Sequence, residues 1–122
     1  KIVRVGEALS FTEGTFRLHV VEEMAARLLA YENKPVIFGI RPEDLYDKLF
    51  ITEAPTDCIV TSTVELVEPL GAEVYLHLKA GQHAIIARVG PHDRPEVNQD
   101  IDLVFDMGKA HFFDPETEAA IV

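Results

Sequence analysis

At 122 residues, with 48% apolar side chains and one cysteine, the chain is long enough to bury a core and cannot close an internal disulfide. Its 21 acidic and 11 basic side chains leave a net charge of −10, and the basic ones are spread singly from Lys1 to Lys109. This excludes the clustered basic face that grips nucleic acid or an anionic membrane surface. No apolar run approaches the roughly 20 residues of a membrane helix. The length predicts one domain, and a lone Cys58 suits a reducing compartment. The chain starts on Lys1 and runs directly into strand-like residues, so it is expected to be a piece of something longer.

From the N-terminus, Leu9 and Phe11 precede the turn signal "TEGT" around Gly14, and "TFRLHV" then alternates. Phe16, Leu18 and Val20 fall on one face and Arg17 and His19 on the other, which predicts a hairpin. "EEMAARLLAYENKP" breaks the period of two. Glu22 and Glu23 open a helix, Met24, Leu28 and Tyr31 form one apolar stripe, and Asn33, Lys34 and Pro35 stop it. The stripe suits a lid over the open end of a barrel, with a partner-binding helix as the alternative. "FGIRPEDL" follows as a strand ended by Pro42, with Glu43 and Asp44 placed to open a short helical turn.

The later chain returns to alternation. "CIVTSTVELV" is an apolar strand, "VYLHLK" points Val74, Leu76 and Leu78 inward, and "IDLVFD" does the same with Ile101, Leu103 and Phe105. Turn residues separate the runs at Gly71, Gly81, Gly90-Pro91, Pro95, Asn98 and Gly108. Short strands with turns about every ten residues predict a mainly β chain, a closed or nearly closed barrel or a sandwich, with one short helix.

Chemistry is hard to find. GxxxxGK[ST] and GxGxxG are both absent, so the chain has neither of these nucleotide-binding devices. His19, His77, His83, His92 and His111 are scattered and match no local zinc pattern. "HDRPE" from His92 reads as an exposed loop between two prolines, and Cys58 as a buried, inert thiol. Ser62 lacks a GxSxG elbow. The carboxylate pairs Glu43/Asp44, Asp102/Asp106 and Asp114/Glu116 fit a corner, a solvated strand face and a turn, so no catalytic residue is expected.

Three stretches in order carry a resemblance: "VIFGIRPEDL" (36–45), "VELVEPLGAEVYLHLKAG" (64–81) and "DLVFDMGKAHFFDPETEAAI" (102–121). Together they resemble the C-terminal regulatory (TOBE, OB-like) domain of the ATP-binding subunit of sugar ABC importers, the maltose and glycerol-phosphate importer ATPases among them. In that family they are the GIRPE corner, the VExLGxE hairpin and the FDPxTG tail. Glu118 departs from the pattern, standing where the tail usually has Gly.

The resemblance implies an OB-like, partly open β-barrel of the molybdate-binding-protein kind, a single regulatory domain over residues 1–122 appended to an N-terminal ATPase domain that these residues do not include. It implies no cofactor for this chain, with ATP and Mg held by the ATPase domain. It also implies a location at the cytoplasmic face of the cell membrane. The implied partners are a second copy of the subunit, the importer's membrane subunits and a regulatory protein, with no nucleic acid. Oxyanion sensing, as in molybdate importers, is the alternative function. Within the corner, Gly39 is expected to admit a neighbouring backbone and Ile40 to enter the core. Arg41, Glu43 and Asp44 are then either a structural corner, with an ion pair worth under about 1 kcal/mol, or part of an interface.

Overall fold

The computed structural model describes residues 1–51 and 53–122. Ten strands are named in chain order. They are β1 (Ile2–Val5), β2 (Ala8–Thr12), β3 (Arg17–His19), β4 (Ile37–Gly39), β5 (Leu45–Asp47), β6 (Ile59–Leu70), β7 (Glu73–Ala80), β8 (His83–Val89), β9 (Asp100–Phe105) and β10 (His111–Phe113). One α-helix, α1 (Glu22–Leu28), lies between β3 and β4. Contacts within the span 1–122 cluster into two compact units, residues 1–40 with 107–122 and residues 41–106.

In the first unit, β1, β2 and β3 form an antiparallel sheet. The expected hairpin joins β2 to β3: Phe11 pairs with Leu18, and the Glu13 carboxylate closes the turn by accepting from the amides of Thr15 and Phe16. α1 starts with Glu22 and Glu23, where carboxylates favour a helix N-terminus. It ends at Leu28, and a 3-10 turn carries the chain through Tyr31 to Asn33, whose φ of 63° is the left-handed stop that the sequence signals. The helix packs on β2, and of its stripe Leu28 is buried and Met24 half-buried. This is where the structure puts the stripe expected to form a lid. β4 and β10 form a separate two-stranded ribbon. Phe11 stacks on Phe38 with ring centroids 4.9 Å apart, and Phe112, paired with Phe38, lies 5.5 Å from it. Contacts of this kind add to area burial.

The tail folds back along β10, with Asp114 N–H donating to Ala119 O at 2.9 Å and Ile121 N–H to Phe112 O at 2.8 Å. Asp114 builds the turn between them. Its Oδ1 accepts from the amides of Glu116 and Thr117, and its Oδ2 from the Tyr31 hydroxyl at 2.7 Å. Tyr31, expected on the apolar stripe, therefore anchors the tail with its polar end.

The second unit is a five-stranded antiparallel sheet in the order β5-β9-β6-β7-β8. Val74, Leu76 and Leu78 are fully buried on β7, and Ile101, Leu103 and Phe105 are buried on β9, as alternation predicts. Val104 is buried as well, so β9 loses its solvent face near its end. A register shift between Val64 and Leu66 bends the long strand β6. The sheet curls until its edge strands β5 and β8 touch, without ladder bonds between them. A mainly β, partly open, OB-like half-barrel with one short helix in the chain is the result.

Glu118 holds the tail turn at φ 61°, a conformation natural to glycine and strained by a side chain. It is exposed. Glu118→Gly is therefore expected to stabilise the chain by up to about 1 kcal/mol, the relief of strain exceeding the added unfolded-state freedom. Urea unfolding of the two proteins measures this, and an unchanged or lower midpoint for the variant would refute it.

Candidate functional site

The corner after β4 is built by proline. Arg41 is extended at φ −76° and ψ 148°, and Pro42 takes the first position of a 3-10 turn over Pro42–Asp44. The Asp44 amide donates to Arg41 O at 2.9 Å, and Asp44 O accepts from the Asp106 amide at 3.0 Å, tying the turn to the end of β9. The sequence expects three residues at an edge, and the structure divides them. Arg41 and Glu43 are exposed, whereas Asp44 is 5% exposed, one of the few buried carboxyls. Ile40 is only half-buried. A Cβ at Gly39 would lie 3.4 Å from the Phe113 ring and 4.0 Å from the backbone oxygen of His111, its partner across the β4–β10 ribbon.

The other polar groups singled out by sequence have structural occupations. Asp102 accepts from the Thr61 hydroxyl at 2.7 Å and Asp100 from Thr63 at 2.6 Å, cross-strand pairs fixed by the β6–β9 register. His77 lies 3.1 Å from Glu68 on the outer face of the sheet. Ser62 is buried and bonds Val60 O. Phe112 has no exposed surface. No three His, Cys, Asp or Glu side chains among the described residues come together as a metal site.

Cys58 is buried beside Asp57, whose carboxylate lies 3.6 Å from Sγ. Burial first, then the Asp57 charge and hydrogen bond and the Asp106 charge, push the thiol up to about 11. The inert thiol expected from sequence has a physical cause.

One group escaped the sequence altogether. "HDRPE" reads as exposed, and His92 and Arg94 are, but Asp93 between them is 6% exposed. Asp47, at the end of β5, is 3% exposed, and its Oδ1 accepts from the Leu49 amide at 3.0 Å. The Oδ2 atoms of both aspartates are buried with no donor. Burial and the neighbouring Asp47 push the Asp93 carboxyl up to about 7. A pair 46 residues apart cannot be read from local spacing.

The fold is that of a mainly β, OB-like half-barrel domain, with many of its polar groups committed to structure. Residues 55–112 match the TOBE domain and residues 1–45 the MalK OB fold domain. The chain is 41% identical, over 95% of its length, to the multiple sugar-binding transport ATP-binding protein MsmK of Streptococcus mutans. It is 40% identical over 88% of its length to the trehalose/maltose import ATP-binding protein MalK of Thermococcus litoralis. The oligosaccharides import ATP-binding protein MsmX of Bacillus subtilis is 33% identical over 98% of the chain. The chain belongs to the family of TOBE and MalK-type OB-fold regulatory domains of sugar ABC importer ATP-binding subunits. It spans only 29–31% of the length of these relatives.

A thiol at about 11 holds roughly a hundredth of the thiolate of one at the ordinary 9.0. Cys58 in the folded chain is thus expected to react with a disulfide reagent at pH 8 at least about a hundredfold more slowly than in the urea-unfolded chain. Equal rates would show that the thiol is neither buried nor raised.

Proposed function

We propose that the chain is a non-catalytic regulatory and dimerisation domain of an ABC importer's ATP-binding subunit, serving sugar uptake. The observation that carries this reading is the 41% identity across nearly the whole chain to a sugar-transport ATP-binding protein. The structure adds support. His77, Asp100, Asp102 and Asp114 are engaged in cross-strand bonds and a turn, not in an acid–base or nucleophilic arrangement. Residues that would hold ATP and Mg do not fit here: there is no phosphate-binding loop, and Gly6, Gly14, Gly71 and Gly81 are positive-φ turn glycines. Nucleotide chemistry belongs to another part of the subunit.

What the second unit offers is surface. The register aligns Leu66, His77 and Ile86 across the outer face of β6, β7 and β8, and Leu66 and Ile86 are 50% and 41% exposed. Leu70 on β6 is 51% exposed. The mechanism would be mechanical. A contact between two copies of this domain keeps the ATPase halves associated as their nucleotide sites open and close, and a bound regulatory protein biases that equilibrium. Arg41 and Glu43 at the proline corner are exposed contributors to such an interface, with Asp44 bracing the corner from inside. Attachment to the importer's membrane subunits would place the domain at the cytoplasmic face of the membrane. Among the described residues no helix is long and apolar enough to cross a membrane by itself.

Because the parent subunits hold the copies together, each contact needs only modest affinity and an area below about 1,200 Å². Sedimentation of the chain from low micromolar to millimolar concentration should therefore show weak, reversible dimerisation. A strict monomer at high micromolar protein would refute the dimerisation role. Association only on adding molybdate would favour an oxyanion sensor.

A further inference from the structure

The curled sheet leaves a seam where its edge strands meet, β5 on one side and the end of β8 on the other. Asp47 stands on β5, and Asp93 stands in the turn that follows β8, whose own amide donates to Gly90 O at 3.1 Å. Both carboxyls are buried, and each turns an Oδ2 without a donor into the interior. Two ionised carboxylates cannot be held side by side out of water. One proton between them converts repulsion into a hydrogen bond and supplies the missing donor to both orphan atoms. We propose that Asp47 and Asp93 share a single proton and act as a pH-operated latch across this seam, closed while the proton is bound.

The surrounding groups set where the proton sits. Asp47 Oδ1 is already engaged by the Leu49 amide, and burial beside Asp47 holds the proton on the Asp93 carboxyl. Arg88 and His92 line the same pocket of about 350 Å³, together with Leu45, Phe50 and Val89. Lys48 follows Asp47, and Asp100 and Asp102 line the adjoining pocket with it, their carboxylates engaged by Thr63 and Thr61. Buried Asp44 lies on the 3-10 turn that packs against β8. Arg94 is turned away, donating to Pro91 O at 3.1 Å.

The sign follows from linkage. The closed seam holds the Asp93 proton up to about 7, whereas a solvated carboxyl in the open seam loses it near 3.8. Between these values the closed form binds more protons, so closure is strongest in acid, weakens as pH rises through that window and levels off above it. The opening constant should rise about a hundredfold from pH 5 to pH 8, the value that the two titration points give. Opening frees the turn after β8 from β5 and uncovers the buried Leu45 and the rest of the half-buried Val89. A contact surface that depends on a closed seam would then respond to pH near neutrality.

Two measurements on the chain test this. Carboxyl carbon NMR should show Asp93 titrating near neutrality. Amide exchange, corrected for intrinsic rates, should show protection of Asp93, Asn98 and Gln99, whose N–H groups donate to Gly90, Val64 and Glu96, falling about a hundredfold from pH 5 to pH 8. Asp93→Asn, whose amide donates permanently to Asp47, should keep high protection at every pH. Should that variant fail to fold, the carboxyl titration and the exchange of the unaltered chain decide alone. An Asp93 carboxyl titrating below about 5, or equal protection at pH 5 and 8, would overturn the proposal. So would a stoichiometric cation that a chelator removes, since the pair would then be a cation site.

Discussion

Strand β7 is the constraint on which the second unit depends. Its residues Val74, Leu76, Leu78 and Ala80 have no exposed surface, and both its edges are paired, to β6 and to β8. Burying each of the three larger side chains is worth about 1.5–3 kcal/mol. A slip of one residue on either side would turn that whole row toward water. The register therefore admits no alternative, and β6 must accommodate it with the bulge between Val64 and Leu66. The bulge helps to bend the sheet, and the bent sheet brings β5 against β8. The seam and its buried aspartates exist because β7 cannot move.

Much of this was legible in the amino-acid order. Alternation gave the facing of Val74, Leu76, Leu78, Ile101, Leu103 and Phe105, and the glycines at positive φ marked the turns at Gly14, Gly71 and Gly81. Asn33 and Glu22–Glu23 bounded the helix. What could not be read is what depends on distant neighbours. Asp44 and Asp93 look exposed because each stands beside charged residues and a proline, and only the folded chain shows which side chain of the run turns inward. Tyr31 looked like the end of an apolar stripe, yet its hydroxyl finds Asp114, 83 residues away. Val104 sits on the polar phase of its strand yet is buried, where its cross-strand partners are Tyr46 and Ile59.

The corner shows how one stretch can serve the chain path first. Pro42 ends β4 and sets a 3-10 turn, Asp44 is drawn inside, and Asp44 O receives the amide at the far end of β9. The chain leaves the first compact unit at Ile40 and returns to it after Asp106, so the hydrogen bond between Asp44 and Asp106 joins the two ends of the second unit's excursion. Arg41 and Glu43 remain exposed on the outside of that corner.

The central claim is that the chain works by contact and does no chemistry of its own. Titration calorimetry of the chain with MgATP, and separately with molybdate, tests it most directly. The account predicts no saturable heat for either ligand. Saturable binding of ATP or of the oxyanion at micromolar concentration would contradict it.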